Sequence, residues 1–253
     1  MAQPTVSIIT VCYNAERYIE QTIRSVLDQS YPYIEYIIVD GASTDRTLEI
    51  IARFGDRISR VVSEKDAGLY DAMNKGLDLA TGEYVLFLNA DDKLHATDTL
   101  QMALSHCKQS DVLYGEALLI EEGGRPLGLR SEQTPHKTPR RLTWKSLRFG
   151  MTVSHQAFIV RRTLAVSYDL RYRICADIDW MIRCLKHCQT TCYTGLIISD
   201  FRIGGTSTQQ RKAGWKERYR ILRHHYGWLG NLFSHGYIVL RYLLGSRHRI
   251  GGS

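Results

Sequence analysis

"YVLFLNADDKL", residues 84–94, passes from an unbroken apolar run into an amide and two adjacent carboxylates. A strand buried on both faces of a sheet reads as a continuous hydrophobic run, so Tyr84 to Leu88 is expected to be one. Its tip then presents Asn89, Asp91 and Asp92 where a ligand can meet them. Two ionised carboxylates side by side repel unless a proton or a cation neutralises them. The expectation is a divalent metal carrying a diphosphate at this strand exit.

Working outward, strand-like and helix-like runs alternate. Thr5 to Val11 is β-branched and strand-like, and Glu16 to Gln29 carries Ile19, Ile23, Val26 and Leu27 at helical spacing. Tyr36 to Val39 is a second strand that stops at Asp40-Gly41, after which Ser43 or Thr44 can cap a helix through Leu48, Ile50 and Ile51. Ile58 to Val62 (strand), Tyr70 to Ala80 (helix), Thr97 to Cys107 (helix) and Val112 to Tyr114 (strand) complete the first half. Such alternation predicts an α/β fold with a mostly parallel, Rossmann-like sheet covered on both faces, and ligands bind outside the carboxyl ends of its strands. Four polar exits fall there: Tyr13 and Asn14, Asp40, Glu64 to Asp66, and Asn89 to Asp92. Glu121 to Pro139 reads as a loop or hairpin, Gln156 to Val160 and Cys192 to Ile198 as strands, and Ile178 to Lys186 as a helix. Neither a G-x-G-x-x-G loop nor a G-x-x-x-x-G-K-[ST] loop is present.

The composition of the 253 residues, 44% hydrophobic and 23% charged, suits one large or two small globular domains. No stretch approaches the ~18–20 apolar residues of a spanning helix; the best, Tyr237 to Leu244, is interrupted by Arg241. The chain opens Met-Ala-Gln-Pro and runs directly into a strand, which reads as having no amino-terminal signal. Its six cysteines show no paired zinc spacing. Cys184, Cys188 and Cys192 recur every fourth residue, as on one helix face; with His187 they could hold a metal, but buried free thiols are the simpler reading. Free thiols point to a reducing cytoplasm. The charge is uneven: the whole chain carries +7, while residues 202–250 alone carry +9, with Glu217 their single acid.

The stretches VSIITVCYNAERYIEQTIRSVLDQSYPYIEYIIVDGASTDRT (6–47) and GLYDAMNKGLDLATGEYVLFLNADD (68–92) resemble the nucleotide-sugar-binding half of the family-two inverting glycosyltransferases with the GT-A fold. The likeness is closest to the bacterial branch that builds colanic-acid-type exopolysaccharide and O-antigen. SHQAFIVRR, YRICADIDWMIR and FRIGGTST extend it to roughly residue 208. It implies a catalytic domain over 1–208, with a donor half (1–115) and an acceptor half (116–208), followed by a basic amphipathic helical tail over 209–250.

By the same resemblance, Asp91 touches the metal, Mn²⁺ or Mg²⁺, although the usual Asp-x-Asp reads Asn89-Ala90-Asp91 here. Asn89 can still bond a ribose hydroxyl or a metal-bound water, and Asp92 can cap the following helix. Asp40 accepts a hydrogen bond from the donor's base, normally uracil, with Thr10, Val11 and Tyr13 as the pocket wall. Asp66, Asp71, Asn74 and Lys75 approach the ribose and diphosphate. The general base falls in Ala176-Asp177-Ile178-Asp179: Asp177 is the base, Asp179 a supporting residue, and alanine stands where the family has a preceding acid. His155 lines the acceptor or diphosphate side, and Arg202 and Thr206 belong to a segment that closes over the diphosphate. Asp45 is expected to serve its helix's first turn rather than a ligand.

The implied partners are a UDP-sugar donor and a glycan or lipid-linked sugar acceptor. The basic, aromatic tail suits an anionic inner leaflet, in keeping with a cytoplasmic, peripheral enzyme. Nucleic acid is excluded by the acidic strand exits, which would repel it. A nucleotidyltransferase lacks its Gly-rich activation loop near the amino terminus. A sugar-nucleotide-binding scaffold without activity is the alternative, since Asn89 and Ala176 both replace acids.

Overall fold

The computed structural model describes residues 3–204 and 211–246. In chain order the first half comprises β1 (Val6–Cys12), α1 (Ile19–Leu27), β2 (Ile34–Asp40), α2 (Thr47–Ala52), β3 (Arg60–Ser63), α3 (Leu69–Leu79) and β4 (Tyr84–Phe87). The short β5 (Lys93–Leu94) and α4 (Thr99–His106) lead to β6 (Val112–Ile120), β7 (Pro126–Leu129) and α5 (Arg130–Gln133). Then follow β8 (Phe158–Arg161), α6 (Ala176–His187), β9 (Thr191–Arg202) and a carboxy-terminal α7 (Arg211–Ser246).

The strands form one sheet in the order β3-β2-β1-β4-β8-β6-β9-β5, with β7 on β6. β3, β2, β1 and β4 are parallel, in register from Val6 opposite both Ile34 and Tyr84. Antiparallel pairing enters with the second half, where β8 lies between β4 and β6 and β5 pairs with β9. The parallel character predicted from the alternation thus runs through β3-β2-β1-β4 and recurs in the second half, where β6 and β9 are parallel. The segment 121–139 supplies the turn and the second strand of the β6–β7 hairpin, followed by α5.

Alternate strand residues face opposite sides, and each side has its own core. Ile8, Ile38 and Leu86 meet α1, α2 and α4, while Ile9, Val39 and Phe87 meet α3 and α6. The second interface is close: a Cβ at Gly76 of α3 would lie 2.4 Å from Ile9 Cγ2. Gly76 is therefore glycine because helix and strand touch there.

Several expectations change. Ser43 and Thr44 do not cap α2; no side chain caps it at Arg46, and Asp45 instead accepts the Thr47 N–H at 3.0 Å and its hydroxyl at 2.5 Å. Asp92 does not cap α4, which begins after Asp98. Cys192 does not share a helix face with Cys184 and Cys188, because α6 ends at His187 and Cys192 lies on β9. It is bonded to Cys107 at the end of α4, across 85 residues. The inference from free thiols to a reducing compartment loses that premise; Cys12, Cys175 and Cys184 are the buried free thiols and Cys188 is half-buried.

Thiol titration of the unreduced, denatured protein should accordingly count four sulfhydryls, the four free cysteines. Closing so long a loop constrains the unfolded chain, so Cys192→Ser should lower stability by about 2–4 kcal/mol in denaturant melts. Six thiols before reduction would contradict the pairing.

Candidate active site

The carboxyl ends of β1 and β2 interlock. Asn14, at φ 48°, donates its N–H to Ser43 Oγ (2.8 Å) and accepts the Thr44 N–H on Oδ1 (2.9 Å). Ala42 also adopts a left-handed φ, 63°, so two non-glycine residues hold an unfavourable backbone at adjacent exits. Asp40 is fully buried beneath them. Its carboxylate accepts the Ser43 N–H at 3.0 Å, the Ser43 hydroxyl, and the Ser63 hydroxyl at 2.7 Å, with Cys12 Sγ at 3.6 Å. These bonds knit β1, β2 and β3 together, and burial keeps the Asp40 carboxylate from presenting an open acceptor at the surface. Thr10 is likewise buried, its hydroxyl taken by Tyr36 at 3.1 Å, and Val11 lies in the core. Of the expected wall only Tyr13 is exposed. Its ring and the Asp66 carboxylate converge on Gly41, where a Cβ would sit 3.4 Å from Tyr13 Cδ2 and 2.5 Å from Asp66 Oδ2.

The 64–76 segment is built mainly for its own architecture. Asp66 accepts the Gly68 N–H (2.8 Å) and Asp71 the Ala67 N–H (2.9 Å), which shapes the entry to α3. Lys75 is paired with Glu64 at 2.8 Å and donates to the Lys65 carbonyl at 3.0 Å. Asn74 both donates to the Tyr168 carbonyl (3.1 Å) and accepts its N–H (2.6 Å), tying α3 to the second half. These bonds engage Asn74, Lys75 and one oxygen of Asp71; Asp66 has its second oxygen at the Gly41 edge.

After β4 the chain turns so that Ala90 is buried, its carbonyl accepting the Thr22 hydroxyl at 2.8 Å. Asp92 is buried and accepts Gln156 Nε2 (2.7 Å) and the Arg202 N–H (2.9 Å). The buried Arg202 guanidinium donates to the carbonyls of Asp91 (3.2 Å), Glu121 (2.8 Å) and Glu122 (2.6 Å), and lies 4.4 Å from the Tyr18 ring centre. It is a brace for the acidic turn rather than part of a closing segment; Thr206 lies outside the described residues. Burial raises the pKa of Asp91, which its own N–H and the Arg202 charge only partly oppose. Asp92 is pushed well above the usual range, by burial first and by Asp91 second. The pair thus holds a proton readily unless a cation takes its place.

A divalent cation fits these residues. Asn89 Oδ1 is buried with no hydrogen-bond partner among the described residues, an arrangement that costs free energy unless a ligand supplies one. It lies two residues from the partly buried Asp91, and both offer the hard oxygens that Mg²⁺ and Mn²⁺ prefer. Among the described residues no three His, Cys, Asp or Glu side chains form a cluster able to hold a metal unaided, which also removes the Cys/His alternative at 184–192.

The second acidic centre opens α6. Asp177, half-buried, accepts the N–H of Ile178 at 2.9 Å. Burial raises its pKa to about 6, against the opposing effects of the Ile178 N–H, the Arg218 charge and the Tyr70 hydroxyl. Arg130, also beside Asp177, is desolvated enough to bring its pKa down to about 10. Asp179 points elsewhere: Arg183 Nε (2.7 Å) and His225 Nε2 (2.8 Å) hold it, anchoring α7 to α6. His155 is buried among Phe87, Tyr168 and Trp180, with Nε2 2.5 Å from the Tyr168 hydroxyl. Burial drives its pKa down to about 3, so it is a neutral core histidine and not a group facing substrate.

Sequence reasoning missed the contribution of α7. Glu217 accepts the N–H groups of Arg173 (2.9 Å), Ile174 (2.8 Å) and Cys175 (3.0 Å), which fixes the approach to α6. The neighbouring Arg218 contributes a charge that partly opposes the raised pKa of Asp177. The signal was present: Glu217 is the single acid in the basic carboxy-terminal stretch. Gln156, the partner of Asp92, gave no local sign.

Residues 7–167 match the family described as Glycosyl transferase family 2. A PGL/p-HBAD biosynthesis glycosyltransferase of Mycobacterium bovis is 34% identical over 218 residues, covering 82% of this chain and 80% of its own. A putative teichuronic acid biosynthesis glycosyltransferase of Bacillus subtilis is 42% identical over 127 residues, 48% of this chain and 50% of its own. Among solved structures, S. aureus TarS 1-349 with UDP-GlcNAc superposes with a TM-score of 0.68 at 20% identity, over 87% of this chain; the chain spans 64% of that structure's length. A Pyrobaculum calidifontis mannosyltransferase with GDP-Man and Mn²⁺ gives a TM-score of 0.65 at 18% identity, over 100% of this chain and 77% of its own. At those identities the likeness concerns the fold, which is of the GT-A type. The chain belongs to glycosyl transferase family 2.

Proposed function

We propose that the chain is an inverting glycosyltransferase. It moves one sugar from a nucleotide-diphosphate donor, UDP-linked in the first instance, to a hydroxyl of a lipid-linked or oligosaccharide acceptor in bacterial surface polysaccharide synthesis. The observation that carries this reading is Asp177: a desolvated carboxyl with a pKa near 6, on a helix start, with no carboxylate-to-cation bond of its own among the described contacts. A general base works best with a pKa near the operating pH. Relatives named for PGL/p-HBAD and teichuronic acid biosynthesis support the acceptor class, and neighbours solved with UDP-GlcNAc, UDP and GDP-Man support a nucleotide-sugar donor.

On the donor side, Tyr13 and Asp66 frame the base and ribose at the Gly41 edge, with Asp40 and Thr10 holding the strands that carry them. Asn89 and Asp91 would hold a divalent metal together with the donor's own phosphates, since the described residues offer too few ligands to hold it alone. When bound, the metal supplies Lewis-acid stabilisation of the charge that develops on the leaving diphosphate. Arg202 keeps the acidic turn in place, and Asp92 stays behind it as the acceptor of hydrogen bonds from Gln156 and the Arg202 N–H. On the acceptor side, Asp177 takes the proton of the attacking hydroxyl. Glu217 and Arg218 hold the helix start and moderate the base's pKa.

Asp177→Asn should bind donor within about threefold of the native protein yet lose transfer by ~10²–10⁴-fold. Retained turnover would contradict the base assignment, and donor binding without turnover in the native protein would favour the inactive scaffold. The native rate should rise with pH through about 6, as Asp177 loses its proton. Because that pKa is raised on folding, the fold favours the neutral acid, and this contribution is lost as pH climbs from about 4 through about 6. Asp177→Asn should therefore melt higher than the native protein at pH 8, with the gap closing toward pH 4. Asp91→Ala should abolish the metal-dependent part of donor affinity. In the native protein that part should weaken on acidification over a higher pH range than an ordinary carboxylate would give, because a proton competes at the raised Asp91–Asp92 pair.

A further inference from the structure

The α7 helix breaks at Gly227, whose φ of 75° and ψ of 172° are not helical. Before the break, Ile221 and Leu222 are fully buried, as an amphipathic helix on a globular core requires. After it, the polarity is reversed. Asn231 and Ser234, both at 0% exposure, face the protein, with Gly230 beside them. Arg148 clamps this face through the Ser234 hydroxyl (3.2 Å) and the Gly230 carbonyl (3.3 Å), and Asn231 donates to the Tyr219 carbonyl (3.3 Å). The opposite face carries Trp228 at 60%, Leu229 at 72%, Leu232 at 60% and Phe233 at 67% exposure. At 100° per residue these four fall on one arc, away from Gly230, Asn231 and Ser234.

A helix that buries its polar side and exposes its apolar side is not explained by its own domain. Scattered apolar exposure is ordinary, but a contiguous aromatic and aliphatic patch marks a surface meant for something else. The charge of the adjoining sequence identifies the occupant. Residues 218–253 contain six arginines and no acid. Lys216, Arg220 and Arg223 are exposed before the break, and Arg148 stacks over Phe233 at 5.8 Å from the ring centre. In a symmetric contact with a second copy these uncompensated cations would face their own kind. Anionic headgroups would complement them while the acyl region receives the apolar arc. None of the described helices is long and apolar enough to cross a membrane, so the segment lies on the surface rather than through it.

We propose that the face formed by Trp228, Leu229, Leu232 and Phe233 docks the protein on an anionic lipid bilayer, with the basic residues around it engaging the headgroups. This rests on the reversed helix alone and stands apart from the sugar-transfer reading.

The test is co-sedimentation of the full chain with vesicles of mixed phosphatidylglycerol and phosphatidylcholine, and with phosphatidylcholine alone, at near-physiological salt. Binding is expected to the anionic vesicles, weaker by about tenfold or more on the neutral ones and after Leu229→Ser with Phe233→Ser. Both side chains are exposed, so the double variant should melt as the native protein does, and its lost binding would not reflect misfolding. Absence of binding to anionic vesicles, or undiminished binding by the double variant, would overturn the proposal. So would light scattering that shows a lipid-free dimer which the double variant dissolves, since the face would then belong to a second copy.

Discussion

The buried carboxylate of Asp92 joins segments that the chain separates widely. It follows β4, accepts Gln156 from the turn before β8 and accepts the N–H of Arg202 at the end of β9. A buried carboxyl with its hydrogen bonds made is stable, and one that loses a partner is costly. The turn bearing Asn89 and Asp91 can therefore hold its shape only while the donor half and the acceptor half stay docked. Arg202 extends the same constraint: one guanidinium reaches the Asp91 carbonyl and the 121–122 backbone. The acidic exit is thus preorganised by contacts made within the protein, and Asn89 and Asp91 are the residues of the turn proposed to meet the donor.

The proposed base, Asp177, has its helix start held in a similar way from a greater distance in sequence. Glu217 occupies three backbone N–H groups ahead of α6, and Asp179 with His225 pins the two helices together. The first part of α7 is consequently structural support for the acceptor side, whereas the part after Gly227 is turned outward. One helix thus serves the chemistry at its start and offers an apolar surface further on. An acceptor that is itself anchored in lipid would reach such a site without leaving the bilayer surface.

The architecture was legible in the sequence wherever one segment sufficed. Tyr84 to Leu88, Thr5 to Val11 and Tyr36 to Val39 read as buried strands because they are, and their polar exits do gather on one sheet edge. What was not legible depended on partners far along the chain. Asp40 and Thr10 looked like pocket residues, but both are buried and bonded to Ser43, Ser63 and Tyr36 within the sheet. Asn74 and His155 are taken by Tyr168 in the same manner. The Cys107–Cys192 bond spans 85 residues and broke a periodicity that seemed helical. For the tail, helical spacing reveals that an apolar face exists, but only packing reveals that it faces outward.

The central claim is that these strand exits bind a nucleotide diphosphate through a metal at Asp91. Thermal melting of the full chain with UDP, GDP, CMP and ADP, each with and without Mn²⁺, tests it most directly. A ligand at about 100 times its dissociation constant adds ~2.7 kcal/mol to the folded state, enough to shift a melting curve readably. The expected result is a rise with UDP that requires Mn²⁺; a rise with GDP instead would keep the site and change the donor. No shift with any nucleotide, with or without metal, would contradict the claim and leave Asn89 and Asp91 as turn residues of a protein that binds no nucleotide.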